Sequence, residues 1–170
     1  MTLILILWGF IGILFQMLLP PIYVGVDIHP PMVTLVVVFT ALYMGLARAL
    51  VVSGILGLSM DLLSPSLPGL SIISLALLAC LVFSQRKIVH YGRLPAGMLI
   101  TLIGVFFYLI VDYLLFSAQL HRWRWPFALW NQMVFNAVIC ALAAPLFYWF
   151  CHWMIRHYFR QVATWEEYAD

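Results

Sequence analysis

Two aspartates, Asp61 and Asp112, lie inside long apolar stretches of this 170-residue sequence. Paired carboxylates can share a proton and activate a water molecule, which is the chemistry of aspartyl peptidases. The sequence lacks the motifs that surround the acids of intramembrane aspartyl peptidases, and no acid directly follows the stretch Phe135-Asn136-Ala137. We therefore predict that these acids make structural contacts rather than form a catalytic pair.

Other catalytic and metal-binding patterns are also absent from the sequence. It has no HExxH, no Walker A glycine loop and no GxSxG, and no cysteine–histidine group has the spacing of a zinc site. The three cysteines lie in apolar runs without CxxC spacing. We expect a protein that is not an enzyme and that needs no cofactor or metal.

The composition is that of a membrane protein. Hydrophobic residues make up 66% of the chain and charged residues 8%, whereas a soluble domain carries about 25% charged residues. The apolar runs are long and unbroken, which favours helices over a β-barrel with alternating polarity. A net charge of +2 does not suggest a nucleic-acid partner. We predict an all-α, polytopic membrane helix bundle.

Six apolar runs define the predicted transmembrane helices. One helix from 32 to 63 would be roughly 48 Å long and would place Arg48 near the membrane centre, at a cost of about 2.5 kcal/mol or more. We therefore expect a tight hairpin with Arg48 at its tip and six spans, with five spans as the alternative. The runs cover residues 3–19, 32–47, 49–63, 70–84, 95–117 and 133–153.

Lysine and arginine positions predict the orientation. With six spans and the N-terminus inside, six of the eight basic residues lie in cytoplasmic segments, and only Arg122 and Arg124 lie outside. Both the five-span and the six-span arrangement leave residues 86–93 and the C-terminus inside. We expect a transmembrane bundle over residues 1–155 and a cytoplasmic tail over 156–170. The outer loop with Trp123, Trp125 and Trp130 is typical of a membrane–water interface, or alternatively of a ligand cage.

Small residues recur every four positions on the third run, at Ala49, Ser53 and Gly57, and the series ends at Asp61. This spacing places them on one helix face that another backbone can approach closely. The face could serve internal packing or bind a partner helix. Asp61, near the end of its span, could cap the following turn or make a functional contact.

Asp112 lies deeper in its span than Asp61 and is the more costly to bury. We expect it to make a hydrogen bond or a pair inside the bundle, and Asn136 to be a buried polar residue at a similar depth. The candidate partners at the level of the two acids are His121, Arg122, Arg124, Asn131 and Asn136.

Residues 54–70 contain a glycine-rich helix that leads into Asp-Leu-Leu, followed after a short turn by Pro-Gly-Leu. This pattern resembles the rod shape-determining protein MreD family, and the length and hydropathy of the whole chain agree with that family. The matching positions are Gly54, Gly57, Asp61, Leu62, Leu63, Pro68 and Gly69.

The resemblance implies an inner-membrane protein of the bacterial cell-wall elongation complex. Such a protein pairs with MreC and is linked indirectly to the MreB filament, RodA and penicillin-binding protein 2. The family is also similar in architecture to the substrate-binding subunits of vitamin transporters. A small-solute binding subunit of a transporter is therefore the alternative function. In the first case, Ala49, Ser53, Gly57 and Asp61 are the candidate partner-binding residues.

Overall fold

The computed structural model describes residues 2–18, 22–23, 27–28, 31–63, 69–85, 94–120 and 127–167. The predictions for residues 64–68, 86–93 and 121–126 lie outside the described residues. The described chain forms six helices and a pair of two-residue antiparallel strands. In chain order they are α1 (Thr2–Leu18), β1 (Ile22–Tyr23), β2 (Asp27–Ile28), α2 (Met32–Tyr43), α3 (Leu46–Leu63), α4 (Leu70–Gln85), α5 (Leu94–Leu120) and α6 (Phe127–Glu167).

The chain turns sharply between α2 and α3, as the six-helix prediction requires. Gly45 has a φ of 96°, a left-handed conformation that glycine adopts without the steric cost of a Cβ. The Met44 N–H still bonds to the Thr40 carbonyl, and the Ala49 N–H bonds to the Gly45 carbonyl. The helix break therefore falls at residues 44–45, and Arg48 is an exposed residue in the first turn of α3.

Helix α2 is the centre of the bundle. Ten of its 12 residues are buried, and it contacts each of the other five helices. These five helices form a ring in the order α1, α3, α4, α5 and α6. The ring closes where Trp8 of α1 meets Phe150 of α6, with the ring centroids 5.0 Å apart.

The helices differ greatly in length. By length and composition, three are long and apolar enough to cross a membrane, over Leu46–Leu63, Ala96–Ala118 and Leu129–Met154. The other three are shorter apolar helices. Helix α2 rises only about 18 Å, and ten of its residues are buried among the other helices.

The sixth helix extends well beyond the predicted span of 133–153. It has 41 residues, includes Trp130 and Asn131 of the predicted outer loop, and continues to Glu167 in the predicted tail. Hydropathy marks only the part of a helix that lies in lipid, so interfacial and charged residues that extend the same helix on both sides were missed.

Candidate functional site

The predicted small-residue face of α3 packs against α4 of the same chain. Ala49 and Ser53 are fully buried, Gly57 is buried and Asp61 is 4% exposed. The Ser53 hydroxyl lies 2.7 Å from the Ala49 carbonyl oxygen and 3.3 Å from the Leu75 carbonyl oxygen of α4. We call this contact the α3–α4 seam; it consists of the α3 face and the α4 residues that cover it.

Gly57 is the point of closest approach in the seam. A Cβ at this position would lie 2.7 Å from Ile72 Cα and 2.8 Å from Ile72 N. Backbone atoms cannot move aside as the end of a flexible side chain can, so the helices could not pack at this distance with a larger residue. Gly54, three residues earlier, faces open space instead.

Asp61 closes the seam by capping the start of α4. Its Oδ2 accepts a hydrogen bond of 2.7 Å from the Gly69 N–H, and its Oδ1 accepts one of 3.1 Å from the Ser71 N–H. The first N–H groups of a helix have no partner within that helix and carry a partial positive charge, which favours a carboxylate. Gly69 adopts a φ of 107° here, and its carbonyl accepts the N–H of Ile73.

Asp112 of α5 is connected to the same end of α4. The Ser74 hydroxyl donates to Asp112 Oδ1 at 3.3 Å and lies 3.0 Å from the Leu70 carbonyl oxygen. Ser74 is fully buried and Asp112 is half-buried. The first turns of α4 thus join α3 and α5 through one carboxylate from each. We call this set the α4 polar cluster; its residues are Asp61, Gly69, Ser71, Ser74 and Asp112.

Asn136 is a buried polar residue of α6. It is 3% exposed, and among the described residues its Oδ1 has no hydrogen-bond partner. Of the other predicted partners of the acids, Asn131 is an exposed residue of α6, while His121, Arg122 and Arg124 lie outside the described residues. The sequence analysis did not single out Ser71 and Ser74. The Ser71 N–H and the Ser74 hydroxyl can be recognised as partners of the two acids only when the neighbouring helices are known.

A second polar contact joins α5 and α6 near the α2–α3 turn. The hydroxyls of Thr101 and Tyr148 are 2.7 Å apart, and Tyr148 packs against Phe39 at 5.7 Å between ring centroids. His152 packs edge-on against Tyr43, with the ring centroids 4.8 Å apart. The aromatic rings therefore fill the space between α2 and α6 at this end of the bundle.

The polar contacts of the described residues connect neighbouring helices. Both carboxylate oxygens of Asp61 accept hydrogen bonds from backbone N–H groups. Among the described residues no group of three histidine, cysteine, aspartate or glutamate side chains could hold a metal ion. The polar groups that come together serve to connect helices.

A family model described as rod shape-determining protein MreD matches residues 1–154 of the 170-residue chain. The chain belongs to the MreD family. No curated protein and no solved structure matches it. The matched range contains the whole α3–α4 seam and the α4 polar cluster. Family membership and the apolar helices together make this a rod shape-determining membrane protein.

Proposed function

We propose that this MreD-family protein is an inner-membrane component of the cell-wall elongation complex and acts by binding an MreC-like membrane protein. Through that partner it is linked to the MreB filament, RodA and penicillin-binding protein 2. The family match over residues 1–154 is the observation that carries this proposal. The role is non-catalytic, and the C-terminal end of α6 faces the cytoplasm, as the distribution of basic residues favours.

The α3–α4 hairpin is the partner-binding element in this proposal. The buried face formed by Ala49, Ser53, Gly57 and Asp61 is covered by α4, so these residues act by fixing the position of α3. The opposite face of α3 is apolar and exposed at Leu50, Val51, Ile55 and Leu58. A rigid, exposed helix face of this kind suits packing against a single transmembrane helix.

The rigidity of the hairpin supports the proposal because a partner helix gains more from a preformed surface than from one that must be ordered on binding. Two backbone-to-carboxylate bonds at one end and the close approach at Gly57 hold α3 and α4 together. A change in the seam should therefore weaken partner binding without touching the partner.

Site-specific photo-crosslinking in cells tests this assignment. A photoreactive residue at the exposed Leu58 should give a product with the MreC-like protein. The same residue at the buried Ser53 should react only within the chain. Leu146, exposed on α6, is the matched control on another lipid-accessible face. A product with the MreC-like protein from Leu146 and none from Leu58 would reject the α3 surface, and no product from any exposed position would reject the proposed function.

A further inference from the structure

The apolar surface of the bundle has two very different heights. On α4 the apolar stretch from Leu70 to Phe83 rises roughly 20 Å at about 1.5 Å per residue. It is bounded by the α4 polar cluster at one end and by exposed Ser84 and Gln85 at the other. On α6, exposed large apolar side chains inside the interfacial Trp130 continue from Val134 to Trp153, a rise of roughly 29 Å.

Helix α1 is also short on its exposed side. Within the described residues 2–18, its exposed leucines extend from Leu3 to Leu18, a rise of roughly 23 Å. We call the exposed faces of α1 and α4 the short rim, and the exposed face of α6 the tall rim. The two faces of the short rim flank α3 in the ring of helices.

A bilayer core of about 30 Å matches the height of the tall rim and exceeds the height of the short rim. A short helix cannot gain height by tilting, because any tilt lowers it further. The lipid beside the short rim must therefore adapt, and acyl chains next to a short apolar surface do so by local thinning.

We propose that this protein thins the bilayer along α1 and α4 and leaves it at ordinary thickness along α6. The occupant of the short rim is the lipid acyl layer, since the exposed side chains there are apolar along the full height, as at Leu7, Leu14, Ile73 and Leu77. The result is a thickness gradient across one small protein. It depends on helix lengths and exposure and does not require the proposed partner.

Spin-label depth measurements on the intact chain in dioleoylphosphatidylcholine vesicles test the gradient. Nitroxides are placed at Leu77, midway along the α4 surface, and at Leu142, midway along the α6 surface. Exposed Cys80 is first changed to Ala. Oxygen and a water-soluble nickel chelate then report the depth of each label. The label at Leu77 should lie nearer the headgroups than the label at Leu142.

Equal depths at Leu77 and Leu142 would overturn the proposal, and so would oxygen inaccessibility at Leu77, because a protein partner or second copy would then cover α4. A second measurement compares thermal unfolding in dimyristoleoyl, dioleoyl and dierucoyl phosphatidylcholine. The proposal expects the unfolding temperature to fall as the chains lengthen, and a maximum in dierucoyl lipid would contradict it.

Discussion

At the residue scale, Asp61 shows how a carboxylate is kept within an apolar bundle. It accepts hydrogen bonds from the N–H groups of Gly69 and Ser71, which would otherwise be unsatisfied at the start of α4. Among the described residues, the carboxylate thus meets two N–H donors at the start of a helix. The cap crosses from one helix to the next, so its loss affects both the start of α4 and the α3–α4 seam.

Replacing Asp61 with Ala should lower the free energy of unfolding by about 1–3 kcal/mol, because two buried donors lose their acceptor. Asp61→Asn should lose less, since one side-chain oxygen still accepts. The measurement is an SDS-unfolding titration of the purified protein. Ser59→Ala is the control, because among the described residues that hydroxyl bonds to the Ile55 carbonyl of its own helix. A loss in the control as large as that in Asp61→Ala would contradict the capping role.

Gly57 and Gly54 form a matched pair for testing the seam. Gly57→Ala should destabilise the protein by about 1–3 kcal/mol, because the new methyl group meets the backbone of Ile72. Gly54→Ala should be neutral or stabilising by up to about 1 kcal/mol, since it faces open space and alanine favours a helix. The same titration measures both, and equal effects would show that Gly57 is not a point of close approach.

The sequence could predict the shared face of Ala49, Ser53 and Gly57 because helical spacing fixes it. It could not predict that α4, and specifically the backbone at Ile72, covers that face. The hydrogen bond from Ser74 to Asp112 was missed for the same reason. Serine is common in apolar helices, and only the placement of α4 beside α5 brings this hydroxyl to the acid.

At the element scale, α2 differs from its prediction in length and surroundings. The predicted run covers 32–47, whereas α2 ends at Tyr43 and contacts each of the other five helices. Its sequence is apolar on all sides, which is equally typical of a membrane span and of a buried core helix. Length alone could separate the two, and the break at Gly45 is a backbone event that hydropathy does not record.

The pairing of α5 with α6 includes the hydrogen bond between Thr101 and Tyr148. Tyr148→Phe and Thr101→Val should each lower the free energy of unfolding by about 0.5–1.5 kcal/mol. The double variant should cost less than the sum of the two, with a coupling energy of about 0.5 kcal/mol or more. Unfolding titrations of the four proteins give this cycle. Strict additivity would show that the two hydroxyls do not interact.

At the scale of the whole molecule, the composition predicted the helix bundle. A chain with 66% hydrophobic residues has an apolar exterior, and an apolar exterior is compatible with lipid. The ring around α2 could not be predicted, because all six helices are apolar and their faces do not specify neighbours.

The positions of lysine and arginine predict the topology. A cysteine introduced between residues 86 and 93 should resist a membrane-impermeant maleimide added to spheroplasts and react after lysis, with Cys80→Ala as background. Labelling in intact spheroplasts would show that residues 86–93 face outward, opposite to the predicted orientation.

We propose that this MreD-family protein maintains rod shape through its α3–α4 hairpin. The direct test is cell shape in a rod-shaped host depleted of its own MreD-family protein and supplied with single variants at equal membrane abundance. Microscopy of cell width should show rods with the unchanged chain and with Gly54→Ala, and rounded cells with Gly57→Leu. Rods with Gly57→Leu at full abundance, or round cells even with the unchanged chain, would contradict the account.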